Sequence, residues 1–385
     1  MLIAQVSSFG APDKVIGLVE RPDPGEPGPG EVLIAAEFVP INPADVLNLE
    51  GRYGAEPPPL PMTPGAEGVG RVAAAGAGVT HVKPGDRVLL PGPGTWRERF
   101  KAPAKVVFPL PANVDPKQLS MLRVNPPTAY LMLQQFVPPK AGNWVIQNAA
   151  NSGVGHCLIR LAHEQGLKTV NVVRRQELIA PLRAFGGDVV LVDGPELDAR
   201  VRDAIGGGAL PLAIDAIGGE GTQRLARCVA ENGIVVNYGL LSGEACRVDA
   251  RETVFRNVTL RGFWLRRWYM ETPPEEIAAV YRKLAAKVAD GSLAVEVEAV
   301  YPFSKIKEAV AHAVGKHATV AGQHNAPPIA REERRAEKFF ERAHLMADRA
   351  VRHMQLVGRA REALQPRRGF ERAQCVQRWQ ARLHM

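Results

Sequence analysis

A short glycine-containing turn is the first feature of this sequence that could bind a ligand. The apolar run that starts at Val145 leads into Asn-Ala-Ala-Asn-Ser-Gly-Val-Gly155, and a segment of helix length follows. Gly153 and Gly155 would let backbone N–H groups approach a pyrophosphate, and the start of a helix favours its negative charge. Small residues also make tight turns without a ligand, so the prediction of dinucleotide binding depends on the strand, turn and helix together.

Two arginines indicate which dinucleotide to expect. An NAD site has Asp or Glu at the end of the second strand to bind the ribose 2′-hydroxyl, but the run here is Val172-Val-Arg-Arg175. A guanidinium pairs with a 2′-phosphate in fork geometry, whereas a carboxylate would repel it. The sequence therefore predicts NADPH, with the alternative that Arg174 and Arg175 only solvate the strand end.

The elements around this turn alternate between strands and helices. After about residue 118, apolar runs recur between helix-length segments, at 144–148, 169–173, 189–192, 212–215, 234–238 and 258–262. This alternation predicts a doubly wound parallel sheet with helices on both faces, an α/β fold. Segments 237–240 and 262–265 would then lie at the carboxyl edge, where such sheets bind ligands.

The chain before residue 118 follows a different pattern. Short apolar or alternating runs at 31–39, 68–73 and 86–90 are separated by clusters of Pro and Gly, which predicts a small β-barrel or sandwich. A helix over about 274–290 and a strand over 294–300 could rejoin this first domain and make it discontinuous. We therefore expect domains at 1–117 with 274–325 and at 118–273.

Composition and charge exclude several classes of protein. With 385 residues, 46% hydrophobic and 23% charged, the chain is typical of a globular protein of two or three domains. The net charge is +8, but +7 of it belongs to residues 331–385, so the body offers no basic surface for nucleic acid. Residues 326–385 are expected to be an Arg-rich tail, helical or disordered, and tail-mediated RNA binding stays an alternative.

Cysteines and apolar runs bear on the location of the protein. Four scattered Cys indicate neither a disulfide framework nor a Cys-rich zinc lobe, so we expect a reducing, cytoplasmic environment. The first residues pass straight into a strand-like run, and no apolar run is long enough for a bilayer. We expect no targeting segment and no membrane partner.

Several runs resemble the medium-chain dehydrogenase/reductase superfamily and, within it, the zinc-independent mitochondrial-type trans-2-enoyl-CoA/ACP reductases. They extend over about residues 1–314 and are Ile41-Asn-Pro-Ala-Asp45, Gly51-Arg-Tyr-Gly54, Gly94-Thr-Trp-Arg97, Val124-Asn-Pro-Pro-Thr-Ala-Tyr130, Val145 to Gly155, Asn171-Val-Val-Arg174 and Leu260-Arg-Gly-Phe-Trp-Leu265. The resemblance implies a GroES-like β-barrel catalytic domain with an inserted Rossmann domain. It also implies a homodimer formed through Rossmann edge strands.

The resemblance implies NADPH-dependent reduction of the C2=C3 double bond of trans-2-enoyl thioesters carried on CoA or ACP, with hydride to the β-carbon and a proton to the α-carbon. It makes Tyr53 and Asn125 the catalytic residues, and Asn125 also a cofactor contact. A phenol with a pKa near ~10 can hydrogen-bond the developing enolate or protonate the α-carbon, directly or through water. The remaining cofactor contacts implied are Asn151, Ser152, Gly153, Val154, Arg174, Arg175, Gln176, Tyr238, Gly239, Leu240, Leu241, Phe263, Trp264, Leu265 and Arg266.

No metal site is expected. Zinc alcohol dehydrogenases have a Cys and a Gly-His-Glu where this chain has Ala44-Asp45 and Gly65-Ala-Glu67. Catalytic zinc needs about three Cys, His or carboxylate ligands, and a lone Glu67 does not supply them. Two other functions stay open: an NADPH:quinone oxidoreductase or other activated-alkene reductase, and a non-catalytic NADPH-binding or RNA-binding protein.

The C-terminal region departs from the family. Family members end in a short strand with a Lys near the cofactor, soon after a helix that corresponds to Ile306–Val314. Here Gly315-Lys316 leads into a poorly matching segment. Two alternatives stay open: Lys316 replaces the family lysine, or the closing strand is lost, and an altered reading frame near residue 315 would explain the break.

Overall fold

Strands dominate the N-terminal part of the chain. The computed structural model describes residues 1–136 and 140–321, with side chains up to residue 315. The elements of this part are β1 (Leu2–Val6), α1 (Pro12–Val15), β2 (Ile16–Glu20), β3 (Glu31–Phe38), α2 (Pro43–Leu49), β4 (Val69–Ala75), β5 (Arg87–Leu89), β6 (Arg99–Pro103) and β7 (Phe108–Pro109). An antiparallel sheet has the order β6-β3-β4-β5-β7, and β1 pairs with β2. Its core contains Val32, Ile34, Val88 and Phe100.

A parallel sheet forms the second part. Its elements are α3 (Pro116–Ser120), α4 (Asn125–Gln135), β8 (Trp144–Gln147), α5 (Gly153–Glu164), β9 (Lys168–Val173), α6 (Ile179–Phe185), β10 (Val189–Val192), α7 (Leu197–Ile205), β11 (Leu212–Asp215), α8 (Gly219–Cys228), β12 (Ile234–Asn237) and β13 (Thr259–Gly262). The order is β10-β9-β8-β11-β12-β13. The strand order reverses between β8 and β11, the point at which such sheets bind ligands. The predicted α/β fold is confirmed.

The last described elements are α9 (Leu265–Glu271), α10 (Pro274–Ala289) and α11 (Ile306–Ala321). The predicted strand over 294–300 is wrong, since this segment forms no ladder within the described chain. Gln118 anchors it instead, because its Nε2 donates to the Val295 carbonyl oxygen and its Oε1 accepts from the Val295 N–H, both at 2.9 Å. The carboxylate of Glu298 also pairs with His312 at 3.3 Å, and Val300 is exposed.

α11 continues beyond the predicted end at Val314, so Gly315 and Lys316 are helical. The expected tail at 326–385 lies outside the described residues. No helix in the described part of the chain has both the length and the apolar character needed to cross a bilayer.

Candidate active site

The turn between β8 and α5 has the geometry of a phosphate-binding loop. Ser152 is the N-cap of α5, and its Oγ accepts a hydrogen bond from the Gly155 N–H at 3.1 Å. A Cβ added at Gly155 would lie 2.3 Å from the Ala150 carbonyl oxygen, so only glycine fits there. Asn151 is exposed, while Val154 is buried in the core. The glycine turn therefore leads directly into the start of α5, the part of a helix where backbone N–H groups favour an anion.

Asn125 lies directly against this loop. It is the first residue of α4, and its Nδ2 would be 2.7 Å from a Cβ added at Gly153. Its amide can both donate and accept hydrogen bonds, which suits a carboxamide or a ribose. The structure thus brings Asn125 and Gly153 together.

The two arginines after β9 have different surroundings. Arg174 is half-buried, and burial, followed by the charge of Arg175, lowers the pKa of its guanidinium. Arg175 is exposed and pairs with Glu177 at 3.0 Å, and Gln176 is exposed beside them. The two arginines therefore differ in exposure and in their charged neighbours.

The segment after β12 reaches the same edge of the sheet. The Tyr238 hydroxyl hydrogen-bonds the Ser152 side chain, and burial raises the pKa of this phenol. A Cβ added at Gly239 would lie 2.4 Å from the Ala216 carbonyl oxygen. Leu240 is exposed and Leu241 is half-buried. The predicted cofactor segment thus contacts the phosphate-binding turn through its tyrosine.

The segment after β13 carries an aromatic pair. Phe263 is buried and packs edge-on against Phe136 with ring centroids 6.3 Å apart. Trp264 is partly exposed, and the Arg266 guanidinium lies 5.8 Å from its ring centroid. Leu265 begins α9. This segment therefore presents an indole edge towards the barrel domain.

Tyr53 contacts the indole edge of Trp264. The Trp264 Nε1–H donates a hydrogen bond to the Tyr53 hydroxyl at 3.1 Å. Burial raises the pKa of Tyr53, with a smaller opposing contribution from the Trp264 hydrogen bond and a further increase from the charge of Asp45. The phenol is therefore protonated at neutral pH and can donate its proton to a ligand.

The sequence-based prediction missed Asp215. This buried carboxylate at the end of β11 accepts hydrogen bonds of 2.6 Å from both Asn148 and Thr222 and of 3.0 Å from Asn237. It therefore ties the ends of β8, β11 and β12 together beneath the cofactor segments. The sequence feature that could have indicated it is an aspartate at the end of the apolar run Leu212-Ala-Ile-Asp215, at the predicted ligand-binding edge of the sheet.

Residues at the positions of the zinc ligands are buried but do not form a metal cluster. Asp45 and Glu67 are 1% and 0% exposed, and the Asn42 amide donates to Glu67 Oε1 at 2.9 Å. Burial raises the pKa of Asp45 to about 7 and that of Glu67 to about 8. No group of three His, Cys, Asp or Glu side chains that could hold a metal occurs among the described residues.

Asp45 should make the protein less stable as the pH rises. Its native pKa of about 7 exceeds the ordinary aspartate value of 3.8, so the folded chain holds a proton that the unfolded chain has lost between about pH 4 and 7. The free energy of unfolding therefore falls as pH rises through that window. We expect Asp45→Asn, which cannot ionise, to gain about 3 °C or more in Tm relative to wild type between pH 5 and pH 8.

Thermal unfolding at several pH values measures this difference. Asp23→Asn is the control, because the pKa of that exposed carboxyl is lowered and it does not titrate between pH 5 and 8. A constant Tm difference between Asp45→Asn and wild type would contradict the prediction.

Comparison with known proteins agrees with this architecture. Residues 28–112 match the alcohol dehydrogenase GroES-like domain, and residues 153–286 match the zinc-binding dehydrogenase family. The fold and site therefore define a protein of the medium-chain dehydrogenase/reductase class.

Two curated relatives identify the family within this class of proteins. The mitochondrial enoyl-acyl-carrier-protein reductase of Dictyostelium discoideum is 34% identical over 285 residues, which cover 72% of this chain and 81% of that protein. The enzyme of the same name from Caenorhabditis elegans is 36% identical over 275 residues, covering 70% and 78%. The chain belongs to the mitochondrial-type enoyl-acyl-carrier-protein reductase family.

Solved structures share the fold. Etr1p, a 2-enoyl thioester reductase of Candida tropicalis solved with NADP and crotonyl-CoA, matches with a TM-score of 0.72 and 24% identity, over 82% of this chain and 97% of that one. A mycobacterial quinone oxidoreductase also matches.

The expected cytoplasmic location is wrong, because the matched curated relatives are named mitochondrial enzymes. Scattered reduced cysteines indicate a reducing compartment and do not distinguish one such compartment from another.

Proposed function

We propose that this protein reduces the C2=C3 double bond of trans-2-enoyl thioesters with NADPH. The observation that carries the proposal is the placement of the Tyr53 phenol, 3.1 Å from Trp264 in a segment predicted to line the cofactor. NADPH, when bound, supplies the hydride for the β-carbon. The glycine turn, Arg174 and Asn125 fit the pyrophosphate, the 2′-phosphate and the nicotinamide end respectively.

Tyr53 acts on the charge that develops at the thioester. As the β-carbon is reduced, negative charge builds on the α-carbon and the thioester oxygen. A protonated phenol donates a hydrogen bond to that oxygen or a proton to the α-carbon. The Trp264 N–H occupies one acceptor position of the phenol and leaves its proton free to point at the substrate.

The proposal is tested by NADPH oxidation with crotonyl-CoA and a simple quinone run side by side, with NADH as a control. The structural match to a quinone oxidoreductase favours quinone reduction as the second candidate. Turnover of the thioester with NADPH supports the leading function, and turnover of the quinone alone supports the second. NADPH binding without any turnover would support the non-catalytic alternative.

We also propose that catalysis needs no zinc. The buried Asp45 and Glu67 stand where zinc enzymes have ligands, and Asn42 hydrogen-bonds between them. Such a pair lacks the third Cys, His or carboxylate ligand of a catalytic zinc site. Activity that survives dialysis against a chelator is the expected result.

We propose a homodimer that forms through β13. All four residues of β13 are exposed at the sheet edge, and Val254 and Phe255 nearby are 68% and 78% exposed. An exposed edge strand beside apolar side chains is a surface that pairs with another chain. Phe255→Asp should therefore shift the mass measured by light scattering from dimer towards monomer, and an unchanged mass would count against this interface.

The proposed domain division stays 1–117 with 274–325 for the barrel domain and 118–273 for the NADPH-binding domain. The antiparallel sheet within 31–109 and the parallel sheet within 144–262 support it. We propose no nucleic-acid partner for the body, and the basic tail at 326–385 lies outside the described residues.

A further inference from the structure

Glu67 lies where three of the sequence motifs meet. Its side chain is fully buried, and its backbone carbonyl accepts a hydrogen bond of 2.7 Å from Thr95 Oγ1. Gly65 has a φ of 99°, and a Cβ there would lie 2.4 Å from the side chains of both Thr95 and Trp96. The Gly94–Arg97 motif therefore fixes the segment that carries Glu67.

One carboxyl oxygen of Glu67 binds the element that leads to Tyr53. The Asn42 side chain donates to Glu67 Oε1 at 2.9 Å. Asn42 is the N-cap of α2, and its backbone N–H donates to Asp45 Oδ2 at 2.8 Å, which closes the first turn. Since the loop after α2 carries Tyr53, Glu67 anchors the base of the Tyr53 segment.

The other oxygen binds the element that begins with Asn125. The Val124 N–H donates to Glu67 Oε2 at 2.8 Å, and the Arg123 N–H also hydrogen-bonds this carboxyl. Val124 is the N-cap of α4, whose first residue is Asn125. The start of α4 is thus attached to Glu67 through consecutive backbone amides.

A second contact holds the same turn. The Arg123 carbonyl accepts hydrogen bonds from the hydroxyls of Tyr269 and Tyr281 at 2.8 and 3.2 Å. The Arg123 guanidinium also lies 5.1 Å from the Tyr269 ring centroid. The peptide before Asn125 is therefore held from both sides, and Glu67 provides the side that faces the Tyr53 segment.

We propose that Glu67 is a positioning residue of this enzyme, which sets Tyr53 relative to Asn125 by binding Asn42 and Val124 on its two carboxyl oxygens. The roles of Tyr53 and Asn125 rest on the proposed function, but the coupling of the two segments does not. A misplacement of reacting groups by about 1 Å can cost ~100-fold in rate.

Glu67→Gln tests this coupling without changing the size of the side chain. Gln has only one acceptor oxygen, so its NH₂ group would face a donor, either the Asn42 amide or the Val124 N–H. Asn42 could relieve this only by rotating its amide so that its oxygen accepts from the NH₂. Glu67→Ala removes all the acceptors and serves as the second variant. In Glu67→Ala we expect hydrogen exchange to accelerate about tenfold or more in the peptides that span 42–53 and 121–130, since both lose a buried hydrogen bond, whereas Glu67→Gln should accelerate exchange in at least one of them.

Glu37→Gln is the matched control. Glu37 lies in the same barrel and binds Arg71 at 2.7 Å and Arg87 at 2.8 Å. Its loss should lower Tm but leave exchange in the two peptides at the wild-type rate. Acceleration in only one peptide, or in neither, with Glu67→Ala would overturn the proposal.

Kinetics distinguish positioning from a general loss of stability. In Glu67→Gln we expect kcat with crotonyl-CoA to fall about 10- to 100-fold. The Kd for NADPH should change less than about threefold, because Arg174 and the glycine turn are untouched. The isotope effect with NADPH deuterated at C4 should rise, and an unchanged isotope effect would overturn the positioning role. A wild type without enoyl thioester turnover would refute the proposed function, while the exchange experiment would still decide the role of Glu67.

Discussion

Tyr53→Phe should lower kcat with crotonyl-CoA by about 100- to 10,000-fold, the usual contribution of a positioned proton donor. The variant loses only the hydroxyl, which hydrogen-bonds Trp264 at 3.1 Å and whose pKa is raised by burial. Steady-state kinetics measure the loss. The Kd for NADPH should change little, because the Tyr53 hydroxyl is not among the groups proposed to bind the phosphates of the cofactor.

Tyr130→Phe is the matched control for this substitution. The Tyr130 hydroxyl accepts a hydrogen bond of 3.4 Å from the exposed Lys283 and lies in the same chain segment as Asn125. Its removal should leave kcat within about threefold of wild type, as for most surface changes. If Tyr53→Phe retained the full rate with the enoyl thioester, Tyr53 would have no catalytic role, and quinone reduction would become the better assignment.

Arg174→Ala should lower kcat/KM for NADPH by about 10- to 100-fold and leave that for NADH within about threefold. A hydrogen bond between charged groups is worth about 1.5–3 kcal/mol. NADH lacks the 2′-phosphate, so the substitution removes no such bond to NADH. The half-buried position of Arg174, where burial lowers the pKa of its guanidinium, favours it as the phosphate ligand.

Arg175→Ala tests which of the two arginines determines the preference for NADPH. Arg175 is exposed and pairs with Glu177, so its loss should change the preference for NADPH over NADH by less than about threefold. The opposite ranking of the two variants would assign the 2′-phosphate to Arg175. Equal use of both cofactors by the wild type would refute the NADPH prediction.

Patterns that lie within one stretch of chain were predictable. The strands β8 to β12 were expected because each is a short apolar run between helix-length segments, and parallel strands buried on both faces have that composition. The strand expected over 294–300 does not form, because a strand also needs a neighbouring backbone, which a local sequence pattern does not specify. Its alternation of Val and Glu is typical of a strand, but no neighbouring strand pairs with it in the described part of the chain, and the side chains of Gln118 and His312 contact it instead.

The buried carboxyl groups were harder to predict. Glu67 was noted only as an incomplete zinc ligand set, and Asp215 was not noted at all. Glu67 binds Asn42 and Val124, which are 25 and 57 residues away, and Asp215 binds Asn148 across 67 residues. No periodicity in the sequence encodes which donor will approach a buried carboxyl, although burying one without donors would be costly.

The sequence by itself determined the parallel sheet, the glycine turn at the start of α5 and the arginine after β9, because each depends on residues that are neighbours along the chain. The tertiary structure decided that Tyr53 meets Trp264, 211 residues further on, and that Arg174 and not Arg175 is half-buried. It also decided that one carboxyl group joins the Tyr53 and Asn125 segments. These contacts form only when the barrel packs against the Rossmann domain, since packing selects which distant side chains share a buried space.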